Sequence, residues 1–128
     1  MKLNHPDAEY LDFLRQGKFM LPRSAESGRF MFYPRVAEPG TGCTDLEWVV
    51  ASGRGVVYAA TTVRPRAPEP PYNVSLIDLE EGPRMMSRVE GLAPELVRIG
   101  LQVRARVARS GDTSMVVFDP VDYVDKGL

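Results

Sequence analysis

Four things are scarce in this chain of 128 residues, and each scarcity excludes a class of function. There is one cysteine, Cys43, so no internal disulfide and no multi-cysteine metal site can form. There is one histidine, His5, near the start of the chain, so a Ser-His or Cys-His nucleophilic pair would have to recruit that single side chain. A net excess of either charge is also missing. Sixteen Lys+Arg stand against 17 Asp+Glu, a formal net charge of −1, which argues against a dedicated nucleic-acid binder with its usual basic excess. Finally, no apolar run approaches the roughly 20 residues that span a bilayer, and the polar start Met1–Asp7 lacks a signal-peptide core. A cytoplasmic location is the expectation. No Gly-rich phosphate loop, His-Glu metal motif or serine elbow occurs either.

What is present is the composition of an ordered globular chain, 44% hydrophobic and 26% charged, of a length suited to one domain with a real core. The basic residues are skewed: 13 are arginine and three are lysine. A GC-rich coding bias produces such a skew, and so does selection for a planar, bidentate donor to phosphate and carboxylate.

Segment Pro6–Gln16 reads as a short amphipathic helix. Pro6 suits the first turn, Asp7 and Glu9 complement the positive end of the helix dipole, and Gly17 stops it. Tyr10, Leu11, Phe13 and Leu14 form its apolar stripe, expected to pack on the chain's own domain. From Lys18 to Pro34 two alternating runs, around Phe19/Leu21 and Phe30/Phe32, flank the turn-rich Arg23–Gly28 and read as a hairpin. A second turn-rich stretch, Ala37–Cys43, lies about 14 residues after the first. Beyond it come β-rich runs at Leu46–Ala51, Gly55–Val63, Val74–Leu79, Met85–Val89, Val103–Val107 and Met115–Phe118. Short strands at this spacing, punctuated by Gly and Pro, indicate a small antiparallel barrel, and five main strands fit an OB-fold better than a sandwich. One helical turn is expected at Pro94–Val97, and Asp119–Leu128 reads as a polar tail.

Five fragments in order then carry a resemblance: Thr44-Asp45-Leu46-Glu47-Trp48, Ser52-Gly53-Arg54-Gly55-Val56-Val57-Tyr58, Pro71-Tyr72-Asn73-Val74, Leu79-Glu80-Glu81-Gly82-Pro83-Arg84 and Val97-Arg98-Ile99-Gly100-Leu101-Gln102-Val103. Together they resemble the zinc-ribbon/OB-fold proteins catalogued as domain of unknown function 35, which are acyl-CoA-associated accessory proteins. The resemblance implies a mainly β fold: an N-terminal helix over 1–17, a rubredoxin-like ribbon hairpin over 18–48, a five-stranded OB-fold barrel over 49–120, and a polar tail over 121–128. In that family the ribbon carries two C-x-x-C pairs on zinc. Here those positions fall on Ser24 and Ser27, then Glu38 and Thr41, with Cys43 two places beyond. Neutral hydroxyls are poor zinc ligands, so a degenerate, metal-free ribbon held by side-chain packing is the expectation. Phe19, Leu21, Phe30, Phe32, Tyr33 and Trp48 are there to supply its apolar surface.

No catalytic residue emerges. Glu80 and Glu81, adjacent on an extended chain, read as solvated hairpin charges, and Cys43 as a small turn residue. Arg64 and Arg66 at the mouth of a proline loop, Tyr72 at its end, Arg84 on the next strand, and Arg104 and Arg106 on one face of a later strand form the candidate binding set. Arginine on a strand exterior suits the phosphates of a coenzyme A thioester or an acidic partner. The resemblance implies an accessory subunit that docks on a thiolase-like, lipid-transfer-protein-like or hydratase-like enzyme and helps bind acyl-CoA, with no tightly bound cofactor of its own, zinc included. The alternative is a nucleic-acid-binding OB-fold module, which would need exposed aromatic platforms in a basic groove.

Overall fold

The computed structural model describes Leu3 and residues 5–121. Helix α1 spans Pro6–Arg15, with proline in its first turn and Asp7 and Glu9 where the dipole favours them. It buries Pro6, Tyr10 and Leu14, while Leu11, expected in the same stripe, is largely exposed. The buried face is an i, i+4 line that packs against β1 of one sheet and β7 of the other, with Phe13 beside it on Trp48.

Among the described residues seven strands follow in two sheets. Strand β1 (Met20–Ser24) pairs antiparallel with β2 (Leu46–Val50), with Pro22 opposite Trp48. The expected pairing of the Phe19/Leu21 run with the Phe30/Phe32 run shrinks to one bridge, Arg23 with Phe30. β2 has taken the place as partner, because the two turn-rich stretches fold against each other and return the chain to β1 only at Leu46. The remaining strands are β3 (Arg54–Val63), β4 (Tyr72–Leu79), β5 (Arg84–Ser87), β6 (Gln102–Ser110) and β7 (Thr113–Pro120). They form a curled antiparallel sheet in the order β5-β4-β3-β6-β7. The curl brings the chain after β5 alongside β7. The Phe118 N–H donates to the Arg88 carbonyl at 3.0 Å and the Glu90 N–H to the Phe118 carbonyl at 2.7 Å, a parallel bridge in the manner of an OB barrel. The helical turn foreseen near Pro94 is a 3-10 turn, Pro94–Leu96. Strand β7 runs through Asp119 and Pro120, two residues into the stretch read as tail, because Asp119 is tied to β6. Residues 122–128 lie outside the described residues.

One hydrophobic core joins helix, first sheet and barrel: Tyr10 and Leu14, Phe19 and Leu21, then Val57, Ile77, Val103 and Phe118 among others. A smaller cluster of Leu3, Met31 and Leu46 lies under Trp48. Trp48 packs edge-to-face on Phe13 at 5.3 Å, and its indole N–H donates to Glu9 at 3.0 Å, so the helix is pinned to the first sheet by both apolar and polar contacts.

The Ser52–Tyr58 fragment has a steric explanation. Gly53 sits at φ +83°, where L side chains are strained, and a Cβ on Gly55 would lie 2.6 Å from the Ile77 Cγ2. β3 can approach β4 closely here only without a side chain.

Candidate functional site

The binding set read from the sequence divides between the two ends of the β3–β4 hairpin. Arg64 and Arg66 lie in the loop after β3, and Tyr72 opens β4 opposite Val63. Arg84 opens β5 opposite Asp78. Arg104 faces Arg54 across β6 and β3, with Arg106 two residues along. A strand of ten residues separates these ends by about 30 Å along its path. No single small ligand touches both groups.

Their electrostatic states differ as well. The Arg84 guanidinium donates to Asp78 at 2.5 Å, which raises its pKa, and lies over the Tyr58 ring, 3.4 Å from the centroid. Arg106 donates to both Asp119 oxygens at 2.8 and 3.0 Å and to Glu90 at 2.9 Å, and those hydrogen bonds, Asp119 first, raise its pKa further. Arg84 and Arg106 are therefore already neutralised. Arg64, Arg66 and Arg104 form no ion pair with the described residues, and all three are exposed. Glu80 and Glu81, read as solvated, are both engaged. Glu80 accepts from Arg54 at 3.0 Å, and Glu81 accepts from the Ser52 N–H at 2.6 Å, so they fasten the β4–β5 turn to the start of β3.

The feature that sequence reading missed is the polarity of β4. Its inward residues are Asn73, Ser75, Ile77 and Leu79, all buried; its outward ones are Tyr72, Val74, Leu76 and Asp78. In the first half of the strand Asn73 and Ser75 are in the core while Tyr72, Val74 and Leu76 point out, the reverse of an ordinary half-buried strand; Ile77, Asp78 and Leu79 follow the ordinary phase. Asn73 makes the inversion workable. Its amide donates to the Val89 carbonyl at 2.6 Å and accepts from the Val89 N–H at 2.9 Å and the Ser75 hydroxyl at 2.8 Å. The alternation was visible in Tyr72-Asn73-Val74-Ser75-Leu76-Ile77, but a period of two does not say which phase faces the core.

Neighbouring strands extend the outward apolar face. Leu76 pairs with Met86 on β5, which is 66% exposed, and Tyr58 on β3 is 48% exposed. A groove of about 310 Å³ runs between Tyr72, Val74, Met86 and Met115, with Arg88 beside the Tyr72 ring at 5.7 Å. In OB-folds the second and third strands, here β4 and β5, with the loop after the first, are the usual ligand-bearing face. The Arg64–Pro71 loop is that loop. A second groove, of about 580 Å³, lies at the opposite end between Arg54, Val56, Gln102 and Arg104.

The four positions matched to the family's zinc ligands do converge. Glu38, only 4% exposed, accepts from the Ser27 hydroxyl at 2.7 Å, the Thr41 hydroxyl at 2.8 Å and Arg29 Nε at 3.0 Å. Hydrogen bonds from Ser27, then Thr41 and Ser24, with the Arg29 charge, hold its pKa below the ordinary glutamate range. Sequence reading placed these side chains together but did not identify Arg29.

Comparison with known proteins places this geometry in context. Residues 48–108 match the family profile described as the ChsH2 C-terminal OB-fold domain. A probable enoyl-CoA hydratase alpha subunit of Thermomonospora curvata is 31% identical over 104 residues, covering 79% of this chain and 33% of that protein. This chain thus spans a third of that relative's length. A DUF35 domain-containing scaffold protein of Pyrococcus furiosus is 30% identical over 100 residues, covering 75% of this chain and 74% of that one. Among solved structures, a chain of the Ltp2-ChsH2(DUF35) aldolase superposes with a TM-score of 0.80 at 29% identity, over 92% of this chain and 96% of the other.

Proposed function

The chain belongs to the DUF35 family, and from that premise we propose that it is a non-catalytic accessory subunit that docks on a thiolase-like or hydratase-like enzyme and helps it bind an acyl-CoA. The observation that carries this reading is the inverted strand β4. A barrel that places Asn73 and Ser75 in its core and Tyr72, Leu76 and Met86 on its exterior has a surface suited to a partner. Exposed methionine adds adaptability to such a surface. The relatives support the same role, since one is a subunit of a hydratase and another a component of an aldolase complex. In this reading the partner supplies the nucleophile and the acid/base groups.

The acyl-CoA part rests on Arg64 and Arg66. They are exposed in the loop that ends at Tyr72 and carry no carboxylate partner among the described residues, so their forks are free for phosphate. Tyr72 stands at the end of the same loop, facing the groove. Arg84 and Arg106 are committed to Asp78, Asp119 and Glu90, and we assign them to holding the barrel. Arg104 is left as a second, separate contact. The described residues include no helix long and apolar enough to cross a membrane, and a cytoplasmic location accords with an acyl-CoA role.

The nucleic-acid alternative is disfavoured by the aromatic rings. Both exposed tyrosines of this face are attended by the chain's own arginines, Tyr58 by Arg84 and Tyr72 by Arg88, so neither offers a clear platform for a base.

The test is recovery of the tagged chain from its native host, followed by calorimetry with acyl-CoA on the recovered complex. The expected result is a stoichiometric companion that acts on CoA thioesters, lost in Leu76→Arg and Met86→Glu, and a CoA affinity that falls at least tenfold in Arg64→Glu/Arg66→Glu. Elution as a lone monomer without CoA binding overturns the proposal. Micromolar, salt-sensitive oligonucleotide binding would establish the alternative.

A further inference from the structure

The two turn-rich stretches of the first subdomain share one construction. In Ser24–Gly28 and in Glu38–Gly42 the glycine N–H donates to the carbonyl four residues earlier, at 2.8 and 2.9 Å, and each glycine has positive φ, +76° and +74°. First and fourth residues of the two turns therefore present four side chains to one point. In the first turn the buried Ser24 hydroxyl accepts from the N–H groups of Glu26 and Ser27, both at 3.2 Å. In the second, Glu38 reaches across to Ser27 and Arg29 of the first turn while holding Thr41 of its own.

This is the geometry of a four-ligand cage, and the donor set decides what the cage can hold. Zinc in such ribbons needs thiolate or imidazole. Here the set is one carboxylate and three neutral hydroxyls, and those of Ser27 and Thr41 already donate to the carboxylate. Among the described residues no group of three or more His, Cys, Asp or Glu is arranged to hold a metal ion. The donors do not fit zinc.

We infer that the Glu38 carboxylate takes the metal's place, cross-linking the two turns as an internal anion whose charge is met by hydrogen bonds from the Ser27 and Thr41 hydroxyls and by the Arg29 guanidinium. A buried carboxylate is costly when it lacks partners and acceptable when its oxygens are fully served, which is the situation here. Both oxygens are used, one for the second turn and one for the first. The cluster thus does mechanically what a zinc ion does, tying together segments 14 residues apart in sequence, with an organising centre of opposite charge. The inference stands independently of any partner enzyme.

Three measurements test it. Elemental analysis of the purified chain, with prolonged chelator treatment followed by urea unfolding monitored at Trp48, should find well under one zinc per chain and an unchanged midpoint. Stoichiometric zinc whose removal loosens the ribbon overturns the inference. Glu38→Ala should red-shift Trp48 emission and open the 24–43 region to protease while far-UV circular dichroism of the barrel persists. Thr41→Ser should behave as wild type and Thr41→Val should reproduce part of the Glu38→Ala effect. If Glu38→Ala and Thr41→Val leave emission and cleavage unchanged, the carboxylate is not the hub. The constructive test replaces Ser24, Ser27, Glu38 and Thr41 by cysteine together. Cobalt added to that variant should give the thiolate-to-metal band and the visible bands of a tetrahedral site, absent in wild type. A four-cysteine chain that gives no such bands shows that the side chains do not form a cage, and overturns the inference.

Discussion

Replacing Asn73 by alanine should be among the most damaging single changes in this protein, although the residue belongs to no catalytic or metal motif. Its side chain acts as a piece of backbone. It closes a two-way hydrogen-bonded pair with Val89, which is 1% exposed, and receives the buried Ser75 hydroxyl. Truncation leaves the Val89 N–H and C=O unpaired where water cannot reach, and removes the Ser75 acceptor. An orphaned buried polar group costs about 1–3 kcal/mol, so the two backbone groups alone predict about 2–6 kcal/mol. At about 4 °C per kcal/mol for a chain of this size, the melting temperature falls by on the order of 10–20 °C. Val89 begins the segment that meets β7 at Phe118, so the loss falls on barrel closure. Far-UV circular dichroism during thermal and urea unfolding is the assay. Ser75→Ala, which removes one hydroxyl bonded only to Asn73, should cost about 1 kcal/mol on the same assay. A cost for Asn73→Ala below about 0.5 kcal/mol, within the range of ordinary surface substitutions, would refute the assignment of these hydrogen bonds as the reason polar residues sit inside β4.

Gly55→Ala puts a Cβ 2.6 Å from the Ile77 Cγ2, so β3 and β4 must separate, at about 1–3 kcal/mol in equilibrium unfolding. Phe118→Ala removes the largest fully buried side chain of the core and should cost about 3–5 kcal/mol by the same measurement. Glu9→Gln keeps an acceptor for the Trp48 indole N–H, whereas Glu9→Leu removes it; only the second should shift Trp48 emission. Acid should loosen the ribbon before the barrel. The Glu38 pKa is lowered by Ser27, Thr41 and Ser24 with Arg29, so its contribution is complete above the unfolded-state glutamate pKa and is lost as pH falls through the folded value. A pH titration of Trp48 emission should show a transition on the acid side that Glu38→Gln removes.

Much of the architecture is legible in the residues because it rests on local rules. Pro6 with Asp7 and Glu9 marks the helix start, glycines and prolines punctuate the strands, and period-two alternation marks β6. The resemblance to the zinc-ribbon family, rather than any local rule, matched Ser24, Ser27, Glu38 and Thr41 to one cage. The partner of β1 was not legible, since a hairpin to the nearest apolar run and a ladder to Leu46–Val50 satisfy the same alternation. That choice depends on how two turns stack, which is a long-range matter.

The composition and pattern of this chain therefore determined by themselves the class of fold, the absence of a disulfide and the lack of a thiolate set for zinc. Only the tertiary structure decided three things: that β4 turns its tyrosine, valine and leucine outward, that Arg84 and Arg106 are spent on carboxylates while Arg64 and Arg66 carry no such partner, and that Glu38 is the hub of the ribbon. The physical reason is common to all three. Alternation, charge and residue type are properties of a segment, whereas the phase of a strand, the neutralisation of an arginine and the burial of a carboxylate are settled by groups supplied from elsewhere in the chain: Val89 for Asn73, Asp119 for Arg106, Ser27 and Arg29 for Glu38.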